Sequence, residues 1–233
     1  MTDAANPGRV LSVLIPAFNE EDTILQTLER VLAVPIVSEV IIVNDGSVDG
    51  TKELLETVTD SRVRVIHHAV RRGKGAAIRT GIPSVTGPLV VIQDADMEYL
   101  PEQLPRLSDL ILRGEATVVY GSRFRGTIQD MRAINRIGNR FLTMVTNILF
   151  RSHLTDEATC YKMFRTDILQ SIPLQCTRFE FCPEVTAKIL RQGIRIAEVP
   201  IDYLARPHSA GKKIRWWDLV DAIRTLVRFR FLA

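Results

Sequence analysis

The chain is poor in cysteine: Cys160, Cys176 and Cys182 are the only three in 233 residues. Their spacing is neither metal-like nor redox-like, so a disulfide framework and a cysteine metal site are excluded. No run of about twenty apolar residues occurs, which excludes a convincing membrane span. The first eight residues are polar and carry no signal-peptide core. Together these absences point to reduced thiols in a cytoplasmic setting. Any membrane contact is then peripheral, on the cytoplasmic face, or supplied by a partner. There is no internal repeat and no low-complexity linker. Aromatic residues interleaved for base stacking are few in the basic C-terminal stretch, which argues against nucleic acid as a partner.

The chain is otherwise ordinary for a globular protein, with 46% hydrophobic and 24% charged residues. Its length suits one α/β domain or at most two small ones. The net charge is only +3, but it is unevenly placed. Arg206, Lys212, Lys213, Arg215, Arg224, Arg228 and Arg230 crowd the C-terminal end, and Arg123, Arg125, Arg132, Arg136 and Arg140 form a second set. Local positive charge favours phosphate groups or an acidic membrane surface.

Apolar, β-branched runs at 10–15, 40–43, 63–66, 89–92 and 117–120 read as strands covered on both faces, hence mostly parallel. Helical patterns at 20–32, 49–57, 75–81 and 104–112 alternate with them, the signature of βαβ units. Beyond residue 121 the pattern changes. Residues 133–150 form an amphipathic helix with Ile134, Ile137, Phe141, Val145 and Ile148 on one stripe. Short segments at 161–164 and 195–199 flank a helix near 183–192. A final amphipathic helix over 215–231 carries Trp216, Val220, Ile223, Val227 and Phe231. Both helices suit either core packing or a membrane surface. The two halves share one compact body.

Chemistry concentrates at strand ends. Asp94-Ala95-Asp96 follows the run Leu89-Val90-Val91-Ile92-Gln93 directly. Two ionised carboxylates at the end of a buried strand are costly unless compensated, and a divalent cation held by oxygen ligands is the usual compensation. A helix N-cap is the plainer alternative. The first strand ends in Ile15-Pro16-Ala17-Phe18-Asn19-Glu20, where Pro16 is expected to stop the ladder and Asn19 to cap the next helix. The second ends in Val43-Asn44-Asp45-Gly46-Ser47, with Asp45 placed to accept hydrogen bonds from a base or ribose. Polar groups at three strand ends, taken in sequence order, point to one shared crevice. Arg71-Arg72-Gly73-Lys74-Gly75 opens a helix and offers a phosphate site with Lys74 as a point charge, or a solvated turn. The spacing is not that of a P-loop.

The strings at Ile15, Val43, Arg72, Asp94 and Gly121-Ser122-Arg123, in this order, resemble the family 2 glycosyltransferases of GT-A fold. Phe179-Glu180-Phe181-Cys182-Pro183-Glu184, Glu198-Val199-Pro200-Ile201 and Gly211-Lys212-Lys213-Ile214 resemble the polyprenyl-phosphate branch of that family, which includes dolichol-phosphate mannosyltransferases. The resemblance implies a Rossmann-like mixed, mostly parallel sheet flanked by helices, in one catalytic domain. Residues 10–121 would form the nucleotide-sugar half and 122–233 the acceptor half. It also implies inverting transfer of a hexose from GDP-mannose or UDP-glucose to a polyprenyl or dolichyl phosphate.

Residue by residue, it implies that Pro16, Ala17, Asn19, Glu20, Val43, Asp45 and Lys74, with Asp94-Ala95-Asp96, bind the donor nucleotide. Asp94, Asp96 and Glu98 would hold Mg²⁺ or Mn²⁺. Arg123, Arg206, Lys212 and Lys213 would grip phosphates, while Arg132 and Arg136 both fit the family's mid-chain arginine. A lipid phosphate is ionised near pH 7 and needs no base. A sugar hydroxyl or other soluble acceptor needs one, for which Asp156, Glu180 and Glu184 are the candidates. A nucleotide-sugar-binding module without turnover is the non-enzyme alternative. Nucleotidyl transfer would prefer a glycine-rich loop after the first strand, and none is there.

Overall fold

All seven residues of the first strand, β1 (Leu11–Ala17), are buried. The reason is that both sheet faces are covered. Leu11, Val13, Ile15 and Ala17 enter one apolar cluster and Leu14 enters the other; Leu89 and Val91 likewise oppose Val90 and Ile92 in β4 (Leu89–Ile92). A strand with two covered faces calls for apolar residues at nearly every position; the one hydroxyl in β1, Ser12, is satisfied by donating to Glu39 Oε1 at 2.6 Å. The computed structural model describes residues 8–206 and 216–232. Lys212 and Lys213 lie outside the described residues.

The remaining elements are α1 (Ile24–Leu32), β2 (Val37–Asn44), α2 (Thr51–Glu56), β3 (Val63–His67), α3 (Lys74–Gly81), α4 (Leu104–Leu112), β5 (Val118–Ser122) and β6 (Ile128–Gln129). They continue with α5 (Ala133–Phe150), β7 (Lys162–Arg165), α6 (Thr166–Ser171), α7 (Phe181–Arg191), β8 (Ile196–Pro200), β9 (Tyr203–Leu204) and α8 (Trp216–Phe231). The main sheet has seven strands in the order β3-β2-β1-β4-β7-β5-β8. All neighbours are parallel except at β7, which runs antiparallel to both β4 and β5. β6 and β9 form a separate two-stranded ribbon. The main sheet does not break at residue 121: β7 inserts between two strands from the first half and carries residues 156–162 towards the end of β4.

Helices α1 and α4 cover one face through Ile24, Leu28, Val31, Leu104 and Leu107. Burying each such side chain contributes about 1.5–3 kcal/mol. Helices α3, α6 and α7 cover the other face through Ala77, Ile78, Leu169, Val185 and Ile189. The third cluster, smaller, joins α5, α7 and α8 through Leu142, Ala187, Ala222, Leu226 and Phe229.

Two local expectations change. Pro16 lies inside β1 rather than ending it. Pairing to β4 stops at Leu14, but pairing to β2 continues to Ala17. Proline lacks a donor only on the side β4 has already left. Asn19 caps no helix: its Oδ1 accepts from Val48 N at 3.0 Å, and its φ of 52° places it in the left-handed region. It ties the β1 and β2 loops together, and α1 starts after Thr23 instead.

Gly73 precedes α3 with φ 98° and ψ 158°, a region open essentially to glycine alone. A Cβ there would also strike the Thr177 carbonyl oxygen. We expect Gly73→Ala to lower the unfolding free energy by about 1–3 kcal/mol. Urea denaturation checks this, and an unchanged midpoint would contradict the close docking of this loop on residues 177–178.

Candidate active site at the carboxyl ends of β1 and β4

Chain geometry gathers acids at the carboxyl ends of β1 and β4. Asp94 and Asp96 follow β4 in a tight turn, in which Met97 takes φ 63° and Glu98 N donates to Asp96 Oδ1 at 3.2 Å. A non-glycine residue in this region is strained. The turn is held from three sides. Thr27 Oγ1 donates to the Ala95 carbonyl at 3.0 Å, Gln93 Nε2 donates to the Asp94 carbonyl at 3.0 Å, and Arg206 Nε donates to the Asp96 carbonyl at 2.8 Å.

Two cations balance this acid edge. Lys74 Nζ meets Asp94 Oδ1 at 2.5 Å and Cys160 Sγ at 3.2 Å. Arg206 meets Glu20 Oε2 at 2.5 Å and stands 3.9 Å from Asp96 Oδ2. Burial pushes the Asp94 carboxyl up, but the Lys74 ammonium more than reverses this and holds it below its ordinary value. Burial likewise lowers Lys74, and the Asp94 charge overcomes that and raises it. Glu98 is committed at both oxygens, one to Tyr203 Oη at 2.5 Å and one to Arg206 N at 2.9 Å.

Within this hydrogen-bonded cluster four carboxylates, Glu20, Asp94, Asp96 and Glu98, face the cations Lys74 and Arg206. Such an imbalance fits a divalent cation. Among the described residues no three His, Cys, Asp or Glu converge as a ready-made metal cage. Asp94 and Asp96 still suffice chemically, because Mg²⁺ typically takes one or two protein carboxylates and completes its shell with water and phosphate oxygens. Glu98, with one oxygen on Tyr203 and the other on Arg206 N, props the turn.

These groups line a cleft of about 1020 Å³ that also takes in Pro16, Ala17, Glu20, Asp45 and Arg123. It continues past Cys160 and Glu157 to Ile134, Ile137, Phe141 and Leu142 of α5 and Ala222 of α8. Several expected site residues stand elsewhere or are occupied. Val43 is fully buried in the core against α3, because β2 is covered on that face. Asp45 is buried and accepts from His68 Nδ1 at 2.7 Å, Arg72 N at 2.8 Å and Gly73 N at 2.7 Å. Its first task is to hold the basic loop. The N-terminus of α3 is not an open phosphate site. Gly75 N and Ala76 N donate to the carbonyls of Arg178 and Thr177 at 2.8 and 3.0 Å.

Arg123 is spent on Asp156. Its Nε and Nη2 reach the two carboxylate oxygens at 2.7 and 2.8 Å, and its backbone N adds a third bond at 3.0 Å. Burial lowers the guanidinium, and the Asp156 charge raises it far above its ordinary value. Glu180 accepts from Arg178 N at 2.7 Å beside the start of α7. Glu184 is buried and holds Gln175 N, Cys176 N and Lys188. Arg132 and Arg136 are both exposed, and of the two Arg132 borders the cleft.

Sequence reasoning passed over Glu157. It is fully buried, it lines the cleft, and neither carboxylate oxygen has a hydrogen bond of ordinary geometry, although the Thr186 hydroxyl bears on it. The available signal was charge in an apolar setting: Asp156, Glu157 and Lys162 surround Tyr161, Met163 and Phe164 as Asp94 and Asp96 follow β4.

The sheet, with its acid edge and adjoining cleft, defines a GT-A glycosyltransferase architecture. Residues 12–172 match the glycosyl transferase family 2 model, and the chain belongs to that family. It is 32% identical to the undecaprenyl-phosphate mannosyltransferase of Micrococcus luteus, over 88% of this chain and 87% of that one. It is 27% identical to the undecaprenyl-phosphate 4-deoxy-4-formamido-L-arabinose transferase of Edwardsiella ictaluri, over 87% of this chain and 62% of that one. A solved glucosyl-3-phosphoglycerate synthase from Mycobacterium tuberculosis, in complex with Mn²⁺, UDP and glucosyl-3-phosphoglycerate, superposes with a TM-score of 0.71. It shares 22% identity and is matched over 95% of this chain and 78% of that one.

We expect Asp156→Ala to cost about 3–5 kcal/mol of stability, because it strands a buried guanidinium. Chemical denaturation reads the loss. A variant of unchanged stability with lost activity would instead make Asp156 a chemical base.

Proposed function

We propose that this protein transfers a hexose from a nucleoside diphosphate sugar to a polyprenyl phosphate, with inversion at the anomeric carbon. One observation carries the reading: a single cleft runs from the Asp94–Asp96 turn to an apolar wall on α5. A donor diphosphate suits the first end and a lipid chain the second. The names of the relatives from Micrococcus luteus and Edwardsiella ictaluri support the acceptor class.

In this reading Asp94 and Asp96 hold Mg²⁺ or Mn²⁺ against the donor diphosphate, and Arg206 and Lys74 keep the acid pair in place. When bound, the ion supplies Lewis-acid stabilisation of the departing diphosphate. Arg206 adds fixed positive charge where negative charge develops. Pro16, Ala17 and Asp45 border the nucleoside, and Arg132 is the better-placed mid-chain arginine for an acceptor phosphate. A phosphate acceptor attacks without deprotonation. That agrees with Asp156, Glu180 and Glu184 all being occupied by internal partners. A soluble acceptor, as in the phosphoglycerate enzyme of similar fold, is the competing reading.

The α5 stripe supports peripheral membrane contact. Ile134, Ile137, Phe141, Met144 and Ile148 are all exposed, and of the expected stripe Val145 packs inward. Arg132, Arg136 and Arg140 on or beside the same helix suit anionic headgroups. No described helix is long and apolar enough to cross a membrane.

The test is a donor screen of GDP-mannose against UDP-glucose, with a short polyprenyl phosphate or 3-phosphoglycerate as acceptor and product read by mass spectrometry. A polyprenyl phosphate hexose is expected; transfer to 3-phosphoglycerate alone would replace the reading. We also expect Asp96→Ala to lower kcat/KM by about 10²–10³-fold or more while the circular dichroism melt stays unchanged. Full activity of that variant with Mn²⁺ present would remove the metal assignment.

A further inference from the structure

A buried carboxyl without a hydrogen bond is rare in a folded protein and calls for a reason. Glu157 comes close to this: it is 0% exposed, neither oxygen has a hydrogen bond of ordinary geometry, the Thr186 hydroxyl bears on its carboxyl without closing one, and it lines the cleft. The cation best placed to neutralise it is turned elsewhere. Lys162 Nζ donates to the Glu157 backbone carbonyl at 2.6 Å and to Thr186 Oγ1 at 3.4 Å, and sits 3.6 Å over the Tyr120 ring. Arg123 is held by Asp156.

The position of Glu157 narrows what it serves. Three residues along, Cys160 touches Lys74, which pairs with Asp94. Towards α5 the Glu157 backbone N donates to Thr143 Oγ1 at 3.0 Å, next to Leu142 of the apolar cleft wall. Glu157 therefore stands between the end suited to a diphosphate and the end suited to an apolar chain. Ionised, a carboxyl group repels phosphate, and in either form it gains nothing from a hydrocarbon. It binds neutral hydroxyls well, as acceptor or donor. The part of a sugar nucleotide that adjoins the diphosphate and carries hydroxyls is the hexose.

We propose that Glu157 recognises a hydroxyl of the transferred hexose and so selects the donor sugar; this rests on the transferase reading above. A site with a buried polar group left unpaired by the wrong sugar discriminates far more strongly than an apolar pocket does.

The role has a stability signature. Burial raises the Glu157 carboxyl above its ordinary value, against the opposing Lys162 charge. Asp156, Arg123, Tyr120 and Cys182 also face it, and the Thr186 hydroxyl acts on it in the lowering direction. A raised value means that the folded state holds the proton more tightly. Stability from this group is then complete below the unfolded value of 4.5 and is lost as pH rises through the folded value. Glu157→Gln removes that loss, so the variant gains stability on the wild type at pH 8 relative to pH 5. A counter-ion for Lys162 would show the reverse.

The experiment compares wild type, E157Q and E157A in three measurements. Calorimetry with Mn²⁺ reads UDP and GDP against UDP-glucose and GDP-mannose. Thermal unfolding is followed at pH 5 and pH 8. Transfer kinetics use the 2-, 3-, 4- and 6-deoxy forms of the active donor. We expect nucleoside diphosphate affinity within twofold of wild type in E157A, and sugar-nucleotide affinity weakened about tenfold or more. One deoxy donor should be poor for wild type yet equal to its parent for E157A, as a shared contact requires.

Equal losses for nucleotide and sugar nucleotide overturn the proposal, as does no loss in either. So does a fall in kcat alone with unchanged deoxy ratios, which would mark a proton acceptor, or a loss of E157Q stability at both pH values. If no donor is turned over, the transferase reading fails and calorimetry still decides Glu157. Absence of sugar-nucleotide binding ends both.

Discussion

An excess of carboxylate at the ends of β1 and β4, restrained by Lys74 and Arg206, is the constraint on which the site depends. Water would solvate these charges at no cost to the fold. Gathered at a strand end, they repel one another and need donors. Arg206 answers this from the second half of the chain, through Glu20 and the Asp96 carbonyl. Lys74 answers it from the start of α3. The strained turn at Met97 survives because Thr27, Gln93 and Arg206 hold it from separate elements.

The antiparallel strand β7 makes this possible. It enters between β4 and β5, so residues 156–162 arrive beside the acids of β4. Cys160 then touches Lys74, and Glu157 reaches the same cleft. Tyr99, Tyr161 and Tyr203 pack at 4.8 and 5.1 Å and fasten the turn from beneath, with Tyr161 donating to Gln93 at 2.6 Å. Two halves that differ in pattern thus share one sheet and one crevice. In the proposed reading that sharing sets donor and acceptor on either side of Glu157.

Much of the fold was legible because both-face burial leaves a plain mark. The runs at 10–15, 40–43, 63–66 and 89–92 correspond to β1 to β4 within a few residues, and the pattern at 133–150 matches α5. The direction of β7 was hidden, since four residues carry no sign of their neighbours. The gathering of acids was legible as far as strand ends go: Arg206 stands between Glu20 and Asp96, and Lys74 holds Asp94 two residues away. What could not be read was which polar groups have internal partners. Asp45, Arg123, Glu180 and Glu184 looked open in the sequence and are engaged in the fold. Glu157 looked like an ordinary charge beside Asp156 and is buried without a hydrogen bond of ordinary geometry to either oxygen. Partner choice depends on contacts between residues far apart in the chain, such as Arg206 with Glu20, and no local spacing encodes those.

The most direct test is a crystal structure with GDP-mannose or UDP-glucose and Mn²⁺, read at an X-ray energy where manganese scatters anomalously. The account predicts one anomalous peak in coordination range of Asp94, Asp96 and the donor diphosphate. A bound sugar nucleotide with no peak beside those two carboxylates would contradict it.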